Sequence, residues 1–169
     1  MNTDESESLE IAAGFILKGL QTGEKVCIAA AEAKARLIMN VLEDRTPRLE
    51  RFSASGNLHL SQGLDSPKRQ VQYLQALAAC PDERFTVFAD VGWIFKKGWS
   101  NENPAQLEKS MLEPRHAGRC IFLYQYALDR FKGGEIMTVL ETHTDSITRG
   151  RVVDNSYGGL LVTASAAVF

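Results

Sequence analysis

The chain has 169 residues, 44% of them hydrophobic, and sets 19 Lys and Arg against 21 Asp and Glu for a formal net charge of −2. That length and apolar fraction suffice to bury one core without disulfides or metals. The mixed charges present no basic face to neutralise a phosphate backbone, so nucleic acid is not expected as a direct partner.

Three cysteines, Cys27, Cys80 and Cys120, stand far apart with no CxxC pair. This argues for reduced thiols in a cytoplasmic protein and against both a disulfide framework and a zinc site. The opening MNTDESESLE is acidic and polar where a secretory signal would be basic and then apolar. Residues 155–169, NSYGGLLVTASAAVF, carry no charge, yet they are too short and too polar for the ~20 apolar residues of a membrane span. The expectation is a single soluble domain over 9–158, with a disordered tail over 1–8 and a C-terminal strand or tail of the same domain over 159–169.

Leu9, Ala12, Ala13, Ile16 and Leu20 recur at helical spacing, and Gly23 follows where a helix should stop. Val26 to Ala30 is a short apolar run typical of a buried strand. A helix over AEAKARLIMNVLED follows at once, with Ile38, Val41 and Leu42 on one face. The next stretch is turn-rich, with Pro47 and Gly56, and predicts a short edge strand around Leu58 to Leu60. Ser66 and Pro67 supply an N-cap and first residue for a helix carrying Val71, Leu74, Leu77 and Ala78. Beyond Pro81, FTVFADVGW is the strongest strand of the chain. A looser stretch from Phe95 to Pro104 leads to a helix with Leu107 and Met111 one turn apart. A strand from Cys120, an amphipathic helix with Ile136, Val139 and Leu140, and a second short strand complete the pattern. Such alternation predicts an α/β fold with a largely parallel sheet.

In open α/β sheets, ligands sit outside the carboxyl ends of the strands, so three strand ends are candidate sites. The first is Ala31, Glu32 and Lys34, where backbone N–H groups and the helix dipole could hold an anionic group. A phosphate loop would need GxxxxGK[ST], which is absent. The GxxxxG from Gly14 to Gly19 is followed by Leu20 and Gln21 inside an amphipathic helix, a chance match. Glu32 would also repel a triphosphate, and an ordinary strand-to-helix turn stands beside the ligand reading.

The second is Asp90, Gly92 and Trp93: a carboxylate to cap the next segment or accept from a ligand, a residue for a sharp turn, and an apolar wall with one N–H donor. The third is Tyr124, Gln125 and Tyr126, where alternation puts both phenols on one side and the amide on the other. His143 shares a helical face with Ile136, Val139 and Leu140 and reads first as a structural histidine, second as a ligand contact. His59 and His116 have no companions at metal spacing. No GxSxG, HExxH or paired-acid arrangement occurs, so no catalytic residue, metal or cofactor is assigned.

Four blocks, GFILKGLQTGEKVCIA, SASGNLHLSQGLDSPKRQVQYLQAL, FTVFADVGWIF and CIFLYQYALDRFKGGEIMTVLETHTDSITRGRVVDNSYG, resemble in order the successive blocks of the MEDS domain. This is the sensory domain named for methanogens, methylotrophs and the dichloromethane regulator DcmR. The most specific matches are Gly19 to Lys25, Gly92-Trp93, Gln125-Tyr126, and Thr142-His143 to Asn155-Ser156-Tyr157.

The resemblance implies a three-layer, RecA/KaiC-like fold with a degenerate nucleotide site, recruited as a small-molecule sensor in prokaryotic signalling. Such domains accompany histidine kinase or helix-turn-helix modules, and no second domain fits within this chain. The expected function is therefore a non-enzymatic sensor that binds a small organic ligand at the carboxyl edge of the sheet. Ala31 to Lys34 would form one wall, Asp90, Gly92 and Trp93 the floor, and Tyr124, Gln125 and Tyr126 the opposite side, with His143 adjoining. It would act on a histidine kinase or transcription regulator in trans, or self-associate as a homo-oligomer. A residual nucleotide-binding, ATPase-like protein is one alternative. A structural interaction module whose tail, Leu160 to Phe169, pairs with another subunit is the second.

Overall fold

The computed structural model describes residues 3–61, 66–80, 82–92, 120–126, 143, 145–148 and 151–154. Helix α1 spans Thr3–Gln21, followed by β1 (Lys25–Ala29), α2 (Glu32–Arg45), α3 (Leu49–Ala54), β2 (Leu58–Ser61) and α4 (Pro67–Leu77). Strands β3 (Phe85–Asp90), β4 (Cys120–Gln125), β5 (Asp145–Thr148) and β6 (Arg151–Asp154) complete the described elements.

Helix α1 is amphipathic: Leu9, Ala12, Ala13, Ile16 and Leu20 are buried, with Ile11, Phe15 and Leu17 partly buried beside them. It begins at Thr3, so residues 3–8, expected as a tail, are mostly its first turns. Acidic residues there favour helix because they face the positive end of the dipole. The helix stops in a Schellman turn: Gly23 has φ 80°, its N–H donates to the Leu20 carbonyl, and the Glu24 N–H reaches back to the Gly19 carbonyl. Only glycine adopts that left-handed conformation without steric cost.

Strands β1 to β4 form one all-parallel sheet in the order β2-β1-β3-β4, with β2 on the edge, as its sequence predicts. Each strand alternates between two apolar layers. Val26, Ile28, Ala30, Phe88 and Leu123 pack against α1 and α2, while Cys27, Phe85, Val87, Cys120 and Phe122 pack against Leu74 and Ala78 at the α4 side. The sheet is therefore covered on both faces, the arrangement expected of near-continuous apolar parallel strands. This gives the three layers in an α/β fold.

Three differences from the sequence pattern have local causes. The turn-rich stretch after Pro47 contains the six-residue α3, which is too short to show a period. The last segment holds two strands: β5 and β6 pair antiparallel as a hairpin in a sheet of their own. Ser66 occupies the N-cap position of α4, but its side chain makes no capping hydrogen bond. The helix expected around Leu107, the one from Ile136 to Leu140, and the segment 159–169 lie outside the described residues.

Candidate functional site

The connection after β1 runs through α2 and α3 to β2 on one side, whereas the chain leaving β3 reaches β4 on the other. Neighbouring strands β1 and β3 thus send their chains in opposite directions, which makes their carboxyl ends the switch point where open α/β sheets bind ligands. Register places the flanking strand ends beside it: Ala29 pairs with both Ser61 and Ala89, Ala89 with Tyr124, and Asp90 with Gln125.

Ala31 is the N-cap of α2 and offers no side-chain acceptor to the first amides of that helix. It packs with Val91, Tyr124 and Tyr126 in a small apolar cluster at the sheet edge. Past the strand end, the Val91 N–H still donates to the Gln125 carbonyl at 3.0 Å, holding the β3 and β4 exits together. Asp90 accepts the Gly92 N–H through Oδ1 at 3.0 Å, an Asx turn. A Cβ on Gly92 would stand 3.2 Å from that oxygen, so the turn leaves little room for a larger residue. The capping use of Asp90 is thus realised for one carboxylate oxygen.

Tyr124, in β4, and Tyr126, one residue past its end, stand on the same side, as alternation predicts. The Tyr124 ring stacks on Phe122 at 5.5 Å and lies 6.3 Å from that of Tyr126. His143 is 5% exposed and meets both phenols edge-on, with centroids 5.2 Å from Tyr124 and 5.7 Å from Tyr126. Its Nε2 is 3.5 Å from the Tyr126 hydroxyl. The histidine thus joins the aromatic pair, although 17 residues separate it from Tyr126 in the chain. Gln125 points to the other side, next to Asp90, and its Oε1 is buried without a hydrogen-bond partner among the described residues.

Glu32 and Lys34 are drawn elsewhere. Glu32 pairs with Arg36 one helical turn on at 2.8 Å, in solvent, and Lys34 Nζ donates to Ser8 Oγ on α1 at 3.3 Å. Trp93 lies outside the described residues.

Two polar residues at this edge escape a reading based on strand ends and motifs. Ser61 ends β2, its carbonyl accepts from Ala30 N–H, and its hydroxyl donates to Gln70 Oε1 at 3.2 Å. Gln70 is 1% exposed. The signal lay in spacing, because Gln70 falls one turn before Leu74 on the apolar stripe of α4, where a polar residue needs a partner.

The Gly-Glu-Lys turn serves the opposite end of the sheet. Glu24 is buried there, accepts from Thr86 Oγ1 and has Arg84 Nε at 3.8 Å. A Cβ on Gly19 would come within 3.0 Å of Val26 Cγ2 and 3.2 Å of Thr86 Cβ, so α1 lies on the sheet only because that position has no side chain. Burial pushes the Cys27 thiol up to about 12, which keeps it protonated and unreactive. Among the described residues no three His, Cys, Asp or Glu side chains gather as a metal site, and no helix is long and apolar enough to cross a membrane.

The family model described as MEthanogen/methylotroph, DcmR Sensory domain (MEDS) matches residues 1–144, ending just before β5. No curated protein matches the chain, and no solved structure does. Since the family match takes in the whole parallel sheet, its switch point between β1 and β3, and the aromatic pair with its histidine, the chain belongs to the MEDS family of sensory domains.

Proposed function

We propose that this sensory domain binds a small organic molecule in the crevice at the carboxyl ends of β1 and β3. It signals in the cytoplasm, without catalysis, by acting on a kinase or transcription regulator in trans. The observation that carries this reading is the convergence of Ala31, Val91, Tyr124, Tyr126 and His143 on the strand-order switch. Apolar walls with a few polar tips are the usual lining of a small-molecule site. Gln125 and the backbone at Asp90 to Gly92 add polar groups on the neighbouring side.

The scaffold in this reading is a RecA/KaiC-like sheet that has given up its phosphate loop. Supporting it, the β1-to-α2 turn is Ala30-Ala31-Glu32, with no glycine to let backbone wrap a phosphate and no loop lysine or hydroxyl to serve it.

Calorimetric titration of the full chain with a panel of small organic compounds, and separately with ATP and magnesium, tests the reading. Saturable binding of a small compound, weakened about tenfold or more by Tyr126→Ala while the circular dichroism spectrum is unchanged, is the expected result; a tenfold loss corresponds to about 1.4 kcal/mol. Micromolar binding of ATP and magnesium would instead favour the residual nucleotide-binding protein.

A further inference from the structure

We infer that Tyr124, Tyr126 and His143 form a latch that couples the ligand edge to the β5–β6 hairpin, making that hairpin the element a bound ligand shifts. The inference rests on the ligand site proposed above, but its test needs no ligand.

The hairpin is a separate two-stranded sheet, and among the described residues no backbone ladder joins it to the four parallel strands. Among the described residues two side chains hold it to the rest of the domain, and side chains can repack without breaking a sheet. On one side that hold is Ile147, packed against the α1–α2 core layer. On the other it is His143, two residues before β5, gripped edge-on by Tyr124 and Tyr126. Tyr124 also packs on the α4 layer, so the side chains of His143 and Ile147 meet groups on opposite faces of the sheet. Only four residues, at most about 14 Å of extended chain, separate His143 from Ile147, so a displacement at His143 has a short path to Asp145 and the hairpin.

Tyr126 lies at the other end of the latch. It packs on Val91, as Ala31 does, and carries the hydroxyl that faces His143 Nε2. A ligand that engages Tyr126 thus competes for the group that holds His143, which supplies the differential interaction a conformational shift requires. On the hairpin itself Val152 is 54% exposed, an apolar side chain placed where a partner would feel the movement.

Hydrogen–deuterium exchange of the full chain, followed by mass spectrometry, tests the latch. In His143→Ala the amides of residues 145–154 are expected to exchange about tenfold faster, and in Tyr126→Phe a few-fold faster, with β1 and β3 as protected as in the parent, because local opening is separable from global unfolding. Unchanged hairpin protection in both variants overturns the inference while leaving ligand binding untouched. So does a loss of protection in hairpin and sheet together, which would make His143 a plain core residue. If His143→Ala does not fold, the Tyr126→Phe result decides alone.

Discussion

At the scale of single residues, two glycines of α1 have opposite meanings that only contacts separate. Gly14 is exposed and nothing lies within 4 Å of a Cβ placed there, so it weakens the helix and shapes no contact. Gly14→Ala is expected to stabilise the protein by about 0.5–1 kcal/mol in urea titration. Gly19→Val should destabilise it by about 1–3 kcal/mol or more, because its side chain must displace Val26 and Thr86. Equal effects at the two positions would mean that α1 does not approach the sheet as closely as described. Thiols make a second contrast. Cys27 and Cys120 are buried and Cys80 is half-buried. A thiol reagent at neutral pH should therefore label Cys80 first and reach the other two on the timescale of unfolding.

At the scale of elements, α1 and α2 are joined by packing, with charge in a minor role. Arg45 pairs with Glu10 across them, but those side chains are 36% and 50% exposed, and such pairs contribute about 0–1 kcal/mol. Ile16 is fully buried in the same interface. Ile16→Ala should cost about 2–5 kcal/mol by thermal or chemical denaturation, against less than about 1 kcal/mol for Glu10→Gln. Long elements were legible for the same reason they are stable: α1, β1, α2, β3 and β4 carry apolar residues at one consistent period. The first turns of α1 were not, since residues 3–8 are mainly polar and their helix depends on continuity with the packed turns that follow. Nor was α3, whose six residues show no period, or the antiparallel pairing of β5 with β6, two strands of four residues each, too short to show an alternation of their own.

For the whole molecule, the buried Cys27 thiol links stability to alkaline pH. Its value rises from 9.0 to about 12 through desolvation, and burial with the nearby Cys27 also raises Tyr73. Both groups hold their protons in the folded state at a pH where the unfolded chain has released them. Their contribution is therefore fully present below about pH 9 and is lost as pH rises toward 12, with the Cys27 displacement equivalent to roughly 4 kcal/mol. Denaturation midpoints measured from pH 8 to 10.5 should fall, and Cys27→Ala should flatten that fall. A midpoint that holds steady in the parent chain would show that water reaches the thiol.

By itself the sequence determined the alternation of helices and parallel strands, the edge position of β2, and the side on which Tyr124 and Tyr126 stand, because periodicity is a local property of the backbone. Only the tertiary structure decided which polar groups meet. The fold sets Ala31 beside Val91 and the two tyrosines, registers Asp90 against Gln125, carries His143 onto the same tyrosines, pairs Ser61 with Gln70, and directs Lys34 to Ser8. Those meetings join residues far apart in the chain, and their geometry follows from which strand lies beside which and how tightly the helices cover them.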